Sequence, residues 1–134
     1  MKILLSQHGD AVAKEVDPDR PLSDRGRVQI GRVAQFLREG SVGCVRILHS
    51  GKTRASQTAE LLAEALQGSQ SIEAVSNLNP NDPVEEWINR ADSWNEDTLL
   101  VGHMPFMGNY ASRLIDPEGA APIINFCPGS VLCL

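Results

Sequence analysis

Cysteine is scarce in this chain of 134 residues. Its 3 cysteines, Cys44, Cys127 and Cys133, are odd in number and include no Cys-x-x-Cys, so neither a disulfide framework nor a zinc knuckle is indicated. Long apolar runs are absent too: none approaches the roughly 20 residues that span a bilayer. The opening stretch from Met1 to Ser6 carries only Lys2 before a short apolar run, a strand and not an export signal. Free thiols without such a signal point to the cytoplasm. Positive charge is in deficit, with 12 Lys and Arg against 17 Asp and Glu, a net charge of −5. Such a field argues against nucleic acid or an anionic membrane as partner, but leaves room for a small anion in a local basic pocket. No internal repeat or low-complexity tract is present. With 42% hydrophobic and 22% charged residues, residues 1–134 read as one ordinary domain.

What is there is an alternation of short apolar runs and helical periodicities. Ile3-Leu4-Leu5 predicts a buried strand, Val45 to Leu48 a second, Leu99-Leu100-Val101 a third, and Val131 to Leu134 a last one. Ser23 caps an expected helix with Ile30, Val33, Ala34 and Leu37 on one face and Gly40 as its stop. Ser50 is expected to cap another, in which Thr58, Leu61, Leu62, Ala65 and Leu66 recur at helical spacing up to Gly68. Asn77 to Pro83 is a turn-rich loop before a short helix at Val84, Trp87 and Ile88. Phe106, Tyr110, Ala111 and Leu114 mark one more helix. The last run stops at Leu134 with no turn or polar cap behind it, so a further C-terminal hairpin is an expectation.

Strands alternating with helices imply an α/β fold with a mostly parallel sheet covered on both faces. Ligands in such folds bind beyond the carboxyl ends of the strands. There the chain places Gln7-His8-Gly9, then His49-Ser50 leading to Arg54, then Gly102-His103. Other chemistries fail on spacing. Gly51-Lys52-Thr53 lacks the upstream glycine of a P-loop, because that position is Arg46. A Cys-x5-Arg phosphatase loop is missing: six residues beyond Cys44 is Ser50, and six beyond Cys127 is Cys133. The cysteines read as structural thiols. His8, His49 and His103 lack the close helical pairing and acidic neighbours of a metal site, and His49 reads as a packing or surface residue. His8 and His103, each beside glycine at a strand end, can instead flank a phosphoryl group whose oxygens Arg54 and helix-start N–H groups would hold. A neutral imidazole can attack phosphorus.

At these residues the chain resembles the histidine phosphatase superfamily, and within it the small, SixA-type phosphohistidine phosphatase branch. The resemblance runs through LLSQHGDA, DRPLSDRGR, SGKTRASQTAE, NLNP and LLVGHMP. It implies a three-layer, phosphoglycerate-mutase-like α/β/α fold with no metal or organic cofactor. His8 matches the phospho-accepting nucleophile, Arg54 the mid-chain phosphate arginine, His103 the second catalytic histidine, and Arg20 a further arginine directed at the phosphate.

One departure stands out. The family signature is arginine-histidine-glycine, and here Gln7 holds the arginine's place. Glutamine offers a neutral hydrogen bond, without charge or a bidentate fork. The lost charge-assisted term, roughly 1.5–3 kcal/mol against about 1, would slow the reaction about tenfold or more. The short chain has little room for the insertions that shape sugar-phosphate pockets in larger members. The expectation is therefore a cytoplasmic, monomeric phosphatase acting on a phosphohistidine-bearing signalling protein, with inorganic phosphate and oxyanion mimics binding in its pocket. Asp10 and Asp82 are the candidate general acids. The rivals are a phosphate-binding module that has lost turnover through Gln7, and a small-molecule phosphomonoesterase.

Overall fold

The computed structural model describes residues 1–68, 70–119 and 121–134. Among them, β1 (Ile3–Gln7) is followed by α1 (Asp24–Glu39), β2 (Arg46–His49), α2 (Thr53–Ala63) and β3 (Ser71–Ala74). Then come α3 (Glu85–Ala91), β4 (Thr98–Gly102), α4 (Phe106–Ile115) and β5 (Val131–Cys133). The sheet has the order β3-β2-β4-β1-β5. Its first four strands run parallel, and β5 pairs antiparallel with β1.

Period-two alternation divides the core between two faces. Leu4, Ile47, Leu99 and Val101 pack against Ile30, Ala34 and Leu37 of α1 and Ala55, Ala59 and Leu62 of α2. Ile3, Leu5, Leu48 and Leu100 pack on the opposite side against Trp87 of α3 and Phe106, Met107 and Tyr110 of α4. The outcome is the expected three-layer α/β/α arrangement, each large buried side chain contributing about 1.5–3 kcal/mol. No helix among the described residues is long and apolar enough to cross a membrane.

α1 begins and ends where its signals lie. Ser23 is the N-cap and accepts from the Gly26 N–H at 3.0 Å, Asp24 sits in the first turn, and Gly40 closes the helix. α2 differs from expectation at both ends. Its N-cap is Lys52, without a side-chain cap, and its last residue is Ala63. Ala65 and Leu66 stay buried but lie past the helix. The reason is tertiary: the Gln67 main chain bonds Val42 (2.9 Å) and Cys44 (3.2 Å), which draws the chain out of the helical path. Gly68, at φ +103°, then turns it toward β3.

Candidate active site

The register pairs Gln7 with Gly102, so β1 and β4 end level with each other. His8 and His103 follow directly, their ring centroids 4.9 Å apart at an interplanar angle of 55°. On the other side of β4, β2 leads through Ser50 to α2, whose first turn carries Arg54. Arg54 Nε donates to His8 Nε2 at 3.3 Å, and His8 Nδ1 lies 2.7 Å from the Gly9 carbonyl oxygen. A guanidinium can only donate and a carbonyl can only accept. The His8 proton is therefore on Nδ1 and the lone pair on Nε2. Burial, foremost, lowers the His8 pKa, and Arg54 and Arg20 lower it further, while the Gly9 carbonyl bond and Asp10 pull the other way. The group is held as a neutral imidazole with its bare Nε2 facing a cation.

His103 is 1% exposed. Burial above all, then the nearby charges of His8, Arg54, Lys52 and Arg20, push its pKa down to about 3. Its Nε2 lies 2.6 Å from Ser50 Oγ. The structure thus brings His8, Arg54 and His103 together, with Arg20 near enough to act on all three. Arg20 holds a left-handed backbone, φ +47°, and its Nε donates to the Val12 carbonyl at 3.1 Å. A residue other than glycine at such a φ is strained unless its surroundings fix it. Here the Leu22 N–H bonded to Gln57 Oε1 (2.7 Å) and the Val12 N–H bonded to the Pro21 carbonyl (2.9 Å) do so.

Thr58 joins the segment after His8 to Arg54. Fully buried, its Oγ1 accepts from the Gly9 N–H at 3.1 Å and its hydroxyl donates to the Arg54 carbonyl at 2.8 Å. The Asp10 carboxylate accepts from the Ser23 hydroxyl at 2.6 Å, and Asp82 accepts from the Asn79 N–H at 2.8 Å, closing its own turn. His49 is buried and accepts from the Gly51 N–H at 3.1 Å, shaping the turn at Gly51. Gln7 is half-buried, with its amide NH2 placed to donate to the Phe126 (3.1 Å) and Cys127 (3.3 Å) carbonyls. The Gly129 N–H returns to the Gln7 carbonyl at 3.1 Å, so residues 126–129 are strapped to the end of β1. Cys44 is buried, which pushes its thiol up to about 11 and keeps it unreactive. Among the described residues no three His, Cys, Asp or Glu side chains gather in a way that could hold a metal ion.

Sequence reasoning treated Ser50 as a helix cap and Thr58 as a packing residue, and passed over Gln57. All three lie in the SGKTRASQTAE run with Arg54. The signal was readable at Thr58, a polar side chain on the buried face of α2.

Comparison with known proteins identifies the family. The model for branch 1 of the histidine phosphatase superfamily matches residues 3–81. An uncharacterized protein of Picosynechococcus sp. (strain PCC 7002) is 31% identical over 121 residues, 85% of this chain and 73% of that protein. The phosphohistidine phosphatase SixA of Escherichia coli (strain K12) is 27% identical over 123 residues, 88% of this chain and 76% of that one. The solved structure of the protein histidine phosphatase SixA complexed with tungstate superposes with a TM-score of 0.83 at 24% identity, covering 99% of this chain and 86% of that chain. The chain belongs to the histidine phosphatase superfamily, branch 1.

Proposed function

We propose that this protein is a phosphatase that removes phosphate from phosphohistidine in a partner signalling protein, through a phosphohistidine intermediate on His8. The observation that carries the reading is the His8 tautomer, a bare Nε2 facing Arg54 with Nδ1–H pinned by the Gly9 carbonyl. His8 Nε2 attacks phosphorus and the substrate imidazole leaves, neutral if its other ring nitrogen carries a proton. Phosphorylated His8 retains its Nδ1 proton and is an imidazolium, which the Gly9 carbonyl stabilises. Water then attacks the same phosphorus, the P–N bond breaks with its electron pair going to Nε2, and His8 is regenerated neutral. Neither step demands a strong general acid, which suits a labile P–N bond. Arg54 and Arg20 supply charge for the equatorial oxygens, and neutral His103 a hydrogen bond.

The E. coli relative's name supports phosphohistidine as the substrate class. The test is turnover on a phosphorylated histidine domain beside a panel of sugar phosphates and nucleotides, with acid-labile labelling of the wild type and His8→Ala. The expected result is multiple turnovers on the phosphohistidine domain, and neither label nor turnover in His8→Ala. Normal labelling of His8→Ala removes His8 from the role. Stoichiometric binding without turnover favours the binding module, and preference for a small ester favours the phosphomonoesterase.

A further inference from the structure

Ser50 stands where the sequence calls for a helix cap, yet its hydroxyl is engaged elsewhere. Ser50 Oγ lies 2.6 Å from His103 Nε2, and α2 starts at Thr53 without any side-chain cap. The other ring nitrogen of His103, Nδ1, is buried with no hydrogen-bond partner among the described residues. A neutral imidazole carries one proton, and the two positions for it are unequal. On Nδ1 it would be a buried N–H without an acceptor, the rarer kind of orphan in folded proteins. On Nε2 it is donated to Ser50 Oγ at short range. Burial above all, and then the nearby charges, disfavour the imidazolium that would protonate both nitrogens. Ser50 Oγ also faces the Lys52 N–H at 3.4 Å, which fixes the hydroxyl oxygen from a second side.

We propose that Ser50 is a positioning residue acting through His103: it accepts the Nε2 proton, which holds the ring in its donor tautomer and in one orientation beside His8. The tautomer matters because a phosphoryl oxygen needs an N–H, and neutral His103 has only the one that Ser50 holds; on substrate binding the phosphoryl oxygen takes that Nε2–H over from Ser50 Oγ. The alternative form would present a lone pair to the developing negative charge, and a histidine in the wrong tautomer can cost orders of magnitude in rate. Ser50 thereby joins two strand ends, since it follows β2 while His103 follows β4. The effect of Ser50 on turnover rests on the phosphatase reading above, whereas the tautomer is a property of the resting protein.

The experiment has two arms. In 15N-labelled protein without substrate, His103 should show its proton on Nε2, with that proton protected from exchange. Ser50→Ala should lose the protection and Ser50→Thr, which keeps the hydroxyl, should regain it. In kinetics on a phosphorylated histidine domain, Ser50→Ala should lower kcat about tenfold, with KM and the inhibition constant for tungstate within about twofold, and Ser50→Thr should recover most of kcat. A proton on Nδ1 in the wild type overturns the inference, and so does a Ser50→Ala protein that keeps both the protected proton and the wild-type kcat. Should Ser50→Ala not fold, Ser50→Cys takes its place, because a thiol is a poor acceptor. If no substrate turns over, the phosphatase reading fails, and the spectroscopic arm still decides the role of Ser50.

Discussion

Replacing Gln7 by arginine should make the protein faster and less stable at once. Gln7 ends β1 directly before His8, and its amide NH2 is directed at the Phe126 and Cys127 carbonyls. A guanidinium turned toward the phosphoryl group would add a third cation to Arg20 and Arg54. Charge-assisted bonds contribute roughly 1.5–3 kcal/mol against about 1 for neutral ones. The gain in transition-state stabilisation is then about 1.4 kcal/mol, or about tenfold in rate. The added charge should also lower the His8 pKa further, in the direction Arg54 and Arg20 already push it, moving the acid limb of the kcat/KM profile to lower pH. Against this, releasing two carbonyls to water costs about 2 kcal/mol of stability at about 1 kcal/mol per bond. The assay is kcat/KM for both proteins on one phosphohistidine substrate, alongside urea unfolding. An unchanged or lower kcat/KM would refute the charge argument, and unaltered stability would refute the strap that Gln7 makes with residues 126–129.

Three further outcomes are expected. Arg54→Lys keeps the charge but loses the planar fork, so tungstate inhibition should weaken about tenfold, and equal inhibition constants would exclude Arg54 as an oxyanion ligand. Thr58→Val keeps shape but strands the buried Gly9 N–H, at a cost of about 1–3 kcal/mol; wild-type unfolding free energy would show that Gly9 has found another partner. The folded chain holds His103 near pKa 3 against an ordinary 6.5, so as pH falls from about 6.5 toward 3 the unfolded chain takes a proton that the folded chain refuses. Stability should fall by roughly 1.4 kcal/mol per pH unit for that proton, with His8 adding in the same direction. His103→Gln should flatten the slope, and identical slopes between about pH 4.5 and 6.5 would contradict this burial account.

Much of the fold is legible in the sequence, because its strands are apolar on both faces and α1 carries explicit caps at Ser23 and Gly40. β3 escapes because all four of its residues are exposed. It is an edge strand held by main-chain pairing to β2, and such pairing leaves no hydrophobic pattern. The early end of α2 is equally unreadable, since Gln67 leaves the helical path to pair with Val42 and Cys44, contacts more than twenty positions upstream. At the site, strand-end histidines beside glycine are local signals and were visible. The Gln7 bonds to Phe126 and Cys127 join opposite ends of the chain, and the Ser50 bond to His103 crosses between strands. Neither follows from any nearby residue. The same distance explains the misplaced cap: a serine before a helix normally bonds that helix, and only the fold reveals a competitor.

The pairing of Gln7 with Gly102 has a consequence for how this site can change. The 4.9 Å between the two imidazoles matches the 4.7–4.9 Å between adjacent strands of any sheet. The strand register thus sets where the two histidine backbones stand, and the bonds to Gly9, Arg54 and Ser50 orient the rings within that frame. Register comes in steps: a slip of one residue would turn the histidine to the opposite face, and a slip of two would displace it by about 6.7 Å. Fine adjustment for a new substrate therefore falls to what stands around the pair, among it the residue before His8, the loop that carries Arg20, and the strap at residues 126–129.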